Sequence, residues 1–122
     1  MTKQEIQWKM ETWWTAADAD ALARKDSQAA TSNLLALFET FTRDERILAD
    51  QVIAEWVQST NVRRRFDALA VVDHFRVVSA VPQLIALTLR LSKSTDPGAP
   101  FEIMKVKRIL QNFGNGSIVG EP

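Results

Sequence analysis

The sequence predicts an all-α protein of about five or six helices. Apolar residues recur with the helical period along the whole chain, and no stretch alternates for long with the period of a strand. Three of the four glycines lie in the last nine residues, so few breakers interrupt this pattern. We therefore expect one helical domain over residues 1–114, with N-terminal helices in 1–41, two helical hairpins in 42–114 and a flexible tail at 115–122.

The first helix is predicted to begin at a capping box formed by Thr2 and Glu5. Thr15 and Asp18 match a second box, which predicts a break or kink near Thr15. The apolar face of this segment is expected to consist of Ile6, Met10, Trp13 and Ala17. A second helical stretch begins at about Ser27, and its face is predicted to consist of Leu34, Leu37, Phe38 and Phe41.

The clearest helix start is the capping box of Thr42 and Glu45. The helix that follows is expected to bury Leu48, Val52, Ile53, Trp56 and Val57. Asn61 is predicted to cap the next helix, which should end at about Arg76, because its short polar side chain can accept from free backbone N–H groups. The apolar face of that helix is expected to consist of Val62, Phe66, Leu69, Val72 and Phe75.

Two further helices are predicted in the C-terminal third. Ser79 is expected to cap the first, with Pro82 in its first turn. Its stripe is predicted to be Val81, Leu84, Ile85, Thr88 and Leu91. After the breaker cluster at 94–100, the last helix should run from Pro100 to Gly114. Its apolar face is expected to consist of Ile103, Val106, Ile109, Leu110 and Phe113.

Composition excludes several classes of function. Fifteen basic residues balance fifteen acidic ones, so no net charge attracts nucleic acid or an anionic membrane. Without cysteine there is no disulfide framework, thiolate metal site or cysteine nucleophile. The N-terminal stretch is not expected to be a secretory signal, and no apolar run is long enough to span a bilayer. These features predict a cytoplasmic protein, monomeric or weakly homo-oligomeric, that needs no cofactor or metal.

An internal repeat points to a family. A shift of 32 residues places Val52-Ile53-Ala54 over Leu84-Ile85-Ala86, and Val57 over Leu89. With Asn61-Val62-Arg63 and Ala80-Val81-Pro82-Gln83-Leu84, the segment from Asp44 to Phe113 resembles short HEAT repeats. Phe66 departs from the pattern, because the family favours alanine there. The resemblance implies stacked antiparallel helical hairpins, a fragment of a HEAT-like α-solenoid, with a curved face that usually binds protein.

Three consecutive arginines, Arg63 to Arg65, stand in a first helical turn, where the helix dipole disfavours cations. Asp67 can pair with Arg63, and in HEAT repeats the arginine after valine typically packs on an acidic residue of the adjoining unit. Arg63 is therefore interpreted as structural. Arg64 and Arg65 lack an evident intramolecular partner, so they are candidate partner-binding residues.

The four tryptophans divide into two pairs. Trp13 and Trp56 lie on apolar stripes and are expected in the core. Trp8 lies off its stripe and Trp14 lies on the margin, and both are candidate partner-binding residues because such tryptophans are common at interaction surfaces. A role in docking the terminal helix is the alternative.

The sequence carries no catalytic constellation. His74 is the only histidine, and Asp73 beside it is badly placed to orient it, so His74 is interpreted as a helix-end residue. The predicted function is a non-catalytic protein-binding module. Small helical binding proteins of this type resemble bacterial immunity proteins that neutralise a toxin by binding it. The alternatives are a generic adaptor or scaffold, a HEAT-like nucleic-acid-binding or DNA-base-processing protein, and a small-molecule site among the tryptophans.

Overall fold

The computed structural model describes residues 2–26 and 28–116, and within these ranges the chain forms six α-helices and no strand. The predicted all-α class is therefore confirmed. A 3₁₀ turn at Val78–Ala80 leads directly into the fifth helix. The six helices are α1 Lys3–Arg24, α2 Ala29–Thr40, α3 Arg43–Trp56, α4 Val62–Phe75, α5 Val81–Ser92 and α6 Ala99–Gly116.

The helices pack in sequential order. α1 lies against α2, α3 against α4 and α5 against α6, while α1 also packs on α3 and α2 on α4. α3 contacts the 3₁₀ turn as well, so it lies between α1 and the start of α5. One core runs through all six helices, and its largest fully buried side chains include Ile6, Phe38, Ile53, Leu69, Leu84 and Ile109.

Local side-chain chemistry sets where three of the helices begin. The capping boxes at Thr2 and Thr42 are both confirmed, because each hydroxyl accepts from the third helical N–H and the glutamate there accepts from the cap N–H. Asn61 caps α4 by accepting from the N–H groups of Arg63 and Arg64. Ser79 was predicted to cap α5 but lies inside the 3₁₀ turn, and no side chain caps that helix.

α1 corrects two predictions. The helix is continuous through Thr15, and the Asp18 carboxylate accepts hydrogen bonds from Arg63 of α4. The two adjacent tryptophans also exchange their expected roles, since Trp14 is buried and Trp13 is partly exposed. The buried face follows steps of four residues through Ile6, Met10 and Trp14, which places Trp13 on its edge.

Like Trp13, three further residues that were predicted to be in the core lie at the surface. Val62 and Phe66 of α4 are exposed, and so is Ile85 of α5, where Leu87 is buried in its place. α4 packs on α3 and α2 along a narrower face than the apolar pattern predicts, and one side of α5 has no helix against it in the described structure. α6 continues past Gly114 to Gly116, and the rest of the predicted tail, 117–122, lies outside the described residues.

Within residues 2–26 and 28–116, no helix combines the length and the apolar character needed to cross a bilayer.

The two capping glutamates predict a pH dependence of stability. Hydrogen bonds from Thr2 and Thr42 lower the pKa of Glu5 and Glu45 below the ordinary value. Because the folded pKa lies below the unfolded value of about 4.3, the stabilisation is present above that pH and is lost as the pH falls through the folded pKa. We expect the urea midpoint to fall over this range in wild type, and to fall less steeply in the Glu5→Gln, Glu45→Gln double variant. Equal slopes would contradict the role of these caps.

Candidate functional site

The arginine turn at the start of α4 directs its three side chains to three different places. Arg63 reaches back to α1, where its Nε lies 3.0 Å from Asp18 Oδ1 and its Nη2 lies 3.2 Å from Asp18 Oδ2. These hydrogen bonds raise the pKa of the Arg63 guanidinium above its ordinary value. The helical neighbour Asp67, which the sequence offered as the partner of Arg63, is engaged elsewhere.

Asp67 is a buried carboxylate that links three helices. It accepts a hydrogen bond of 2.7 Å from Trp14 Nε1 on α1 and one of 2.5 Å from the Thr31 hydroxyl on α2. A buried carboxylate is stable only when such donors surround it. Asp67 therefore holds α4 to the first hairpin.

Arg64 packs against two indole rings. Its guanidinium carbon lies 4.8 Å from the ring centroid of Trp14 and 4.6 Å from that of Trp56. The expectation that Arg64 has no intramolecular partner is wrong, because a cation over an indole face is stabilised there. Trp14 was predicted on the margin of the apolar stripe of α1, but it is buried beneath Arg64 and meets Trp56 edge to face.

Arg65 is also engaged inside the protein. Its guanidinium forms a two-pronged ion pair with Glu102 of α6, with Nη2 2.7 Å from Oε1, and Nη1 donates to the Ser59 carbonyl at 2.9 Å. Only 7% of the residue is exposed. The hydrogen bonds to Glu102 raise the pKa of Arg65 above its ordinary value. The prediction that Arg65 projects without a partner is therefore wrong.

Of the four proposed partner-binding residues, only Trp8 lies mostly in solvent, with 70% of its surface exposed.

His74 lies exposed in the last turn of α4, and its ring centroid is 4.7 Å from that of Phe75. In the described part of the chain, no group of three or more histidine, aspartate or glutamate side chains could hold a metal ion.

A groove beside the arginine turn is the best-formed candidate site. It has a volume of about 550 Å³ and lies between the end of α1, the start of α2 and the start of α4. Three large apolar side chains line it, Leu22, Val62 and Phe66, and they are 56%, 56% and 42% exposed. We call these residues and their surroundings the α1–α4 groove.

Charged groups frame the α1–α4 groove. The Asp18–Arg63 ion pair and Asp67 lie in its wall, and Lys25 and Asp26 stand at its rim. Lys105 of α6 places its Nζ 3.6 Å from the ring centroid of Phe66. Burial lowers the pKa of Lys105, and neighbouring Arg108 lowers it further.

A larger depression, of about 800 Å³, runs along the outer face of α6. Side chains of this one helix line it, so it does not enclose a ligand as a groove between helices does.

The groove residues were missed by the sequence interpretation. Val62 and Phe66 were assigned to the core stripe of α4, and Leu22 was not singled out. No local signal distinguished Val62 and Phe66, because both have the apolar side chains of core residues, and their exposure depends on which helices pack against α4.

No known protein family matches this chain, and no curated protein or solved structure matches it significantly.

Proposed function

We propose that this chain is a non-catalytic protein-binding module whose binding site is the α1–α4 groove. The observation that carries the proposal is the clustering of Leu22, Val62 and Phe66, three exposed apolar side chains in one concave, charge-rimmed surface. Exposed apolar patches with a polar rim are typical of protein interaction sites. A partner would place apolar side chains in the groove and polar groups against its rim.

The placement of the arginines supports this site in preference to the arginine turn itself. Arg64 and Arg65 are held by Trp14, Trp56 and Glu102. A partner that engaged these two guanidinium groups would have to compete with those contacts. The α1–α4 groove, in contrast, offers apolar surface that the described chain leaves about half exposed.

The finer proposal is a HEAT-like stack that neutralises a toxin. The packing of α1 on α3 and of α2 on α4, and the pairing of Arg63 with Asp18 of the preceding hairpin, support a stacked arrangement of hairpins. The immunity-type role rests on resemblance to small helical immunity proteins. It predicts that a neighbouring gene encodes a toxin that this chain binds.

Substitution of Leu22 by aspartate is expected to weaken binding of that neighbour-encoded protein by at least about tenfold, roughly 1.4 kcal/mol. A charge in the groove would be buried without a partner when the complex forms. Ile47→Asp on α3 is the matched control, because Ile47 is 57% exposed and lies outside the groove. Isothermal titration calorimetry of wild type and both variants makes the comparison. Unchanged affinity of Leu22→Asp, or equal loss in both variants, would reject the groove as the site.

A further inference from the structure

The two ends of the helix stack both present apolar surface. At the first end, a groove of about 520 Å³ lies between α1 and α2, and Trp8, Trp13, Ala16 and Asp20 are among its lining residues. Trp13 is held in place there by a hydrogen bond of 3.2 Å from its Nε1 to the Asn33 carbonyl of α2. We call this surface the N-end groove.

At the other end, α5 carries an exposed apolar stripe. Pro82, Ile85 and Leu89 are spaced by three and four residues and so share one face of the helix. Ile85 is half exposed, Leu89 is 62% exposed, and Val78 in the preceding 3₁₀ turn is also exposed. We call the face formed by Ile85 and Leu89 with these neighbours the C-end stripe.

The internal repeat indicates what kind of surface covers the C-end stripe. Ile53 of α3 and Val57, the C-cap of that helix, stand 32 residues before Ile85 and Leu89. Both are completely buried, in the core cluster that also contains Leu84 and Leu87 of α5. Within the described chain, the same face of the repeat is therefore buried where another hairpin packs on it and exposed where no described element does. A helical hairpin is the shape that fits the C-end stripe.

Charge decides which hairpin is complementary. The α5–α6 hairpin, residues 81–116, holds five basic and two acidic residues, whereas the α1–α2 hairpin, residues 3–40, holds four basic and six acidic ones. Pairing two C-end stripes would bring like charges together, which disfavours a symmetric dimer. Pairing the C-end stripe with an α1–α2 hairpin brings opposite charges together.

We propose that copies of this chain associate head to tail, with the C-end stripe of one copy packed in the N-end groove of the next. Such a heterologous contact leaves a free end on each assembly that does not close into a ring, so growth can continue beyond a dimer. It uses surfaces other than the α1–α4 groove and does not depend on the proposed partner. The association is expected to be weak and to decrease as salt concentration rises, because screening reduces the attraction between the two hairpins.

Blocking the two ends separately tests the proposal. Trp8→Arg places a cation in the N-end groove, and Ile85→Glu with Leu89→Glu places carboxylates on the C-end stripe. In sedimentation velocity experiments, the sedimentation coefficient of wild type should rise with concentration without levelling off at a dimer. Each blocked variant alone should remain at the monomer value. An equimolar mixture of the two variants should form a complex of two chains and nothing larger, because each variant keeps the end that the other lacks.

The controls separate this arrangement from the alternatives. Ile47→Glu, a change at an exposed residue of the middle helix α3, should associate like wild type. Circular dichroism checks that each variant is folded. If the variant with Ile85→Glu and Leu89→Glu is unfolded, the single change Leu89→Glu is used in its place. Dimerisation of Trp8→Arg by itself would show symmetric pairing through α5 and overturn the proposal. The proposal would also be overturned if the wild-type protein stays monomeric, or if the equimolar mixture of the two blocked variants forms no complex.

Discussion

Substitution of Asp67 by alanine is expected to lower the free energy of unfolding by about 2–4 kcal/mol. The change removes the shared acceptor of Trp14 Nε1 and the Thr31 hydroxyl, whose hydrogen bonds to Asp67 are 2.7 and 2.5 Å long. Both donors would remain buried in the folded protein without a partner. Urea unfolding, followed by circular dichroism, measures the loss.

Asp67→Asn is the matched control. Its side-chain oxygen can still accept from Trp14, and its amide can donate to the Thr31 hydroxyl, which can rotate to accept. We therefore expect a smaller loss than for alanine. If Asp67→Ala lowers the free energy of unfolding by no more than about 0.5 kcal/mol, as an ordinary surface substitution does, then Asp67 does not hold α4 to the first hairpin.

Substitution of Arg65 by alanine is expected to destabilise the protein by about 3–5 kcal/mol, the range for removing one partner of a buried ion pair. Glu102 would keep its charge with only 18% of its side chain exposed, and the Ser59 carbonyl would lose the shorter of its two hydrogen bonds from arginine side chains. The interpretation of Arg65 as a solvent-facing residue predicts instead no loss of stability. Thermal and urea unfolding distinguish the two expectations.

A double-mutant cycle assigns this effect to the ion pair. The double variant Arg65→Ala, Glu102→Gln should lose much less free energy of unfolding than the sum of the two single losses. The reason is that the second change removes the charge that the first leaves unpaired. Arg43→Ala, at an exposed residue of α3, is the control and should stay within about 0.5 kcal/mol of wild type. Additive losses in the cycle would show that Arg65 stabilises the protein by packing alone.

The sequence by itself determined the fold class and most helix boundaries. Helical periodicity and capping chemistry are local properties that a few neighbouring residues specify. Thr2, Thr42 and Asn61 start their helices as predicted because each cap needs only backbone N–H groups within three residues. The prediction was less exact at the start of α5, because no side chain caps that helix. It was also less exact at the end of α6, which extends beyond Gly114.

Periodicity predicted buried residues such as Ile53 and Leu69 correctly, but only the tertiary structure decided where the buried face of each helix ends. Trp13 and Trp14 are adjacent in sequence, and the packing of α1 against α2 and α3 determined which of them entered the core. Phe66 and Ile85 have apolar side chains that suit a core, yet no neighbouring element covers either completely. Periodicity identifies an apolar face, but its width depends on how many elements pack against it.

The tertiary structure also decided which partner each of the three arginines contacts. Their partners, Asp18, Trp14, Trp56 and Glu102, lie between eight and fifty residues away along the chain. Sequence spacing can suggest a partner one helical turn away, as it did with Asp67, but it cannot bring distant helices together. The α1–α4 groove arises likewise from three helices, because Leu22 on α1 meets Val62 and Phe66 on α4 only when the first hairpin packs on the second.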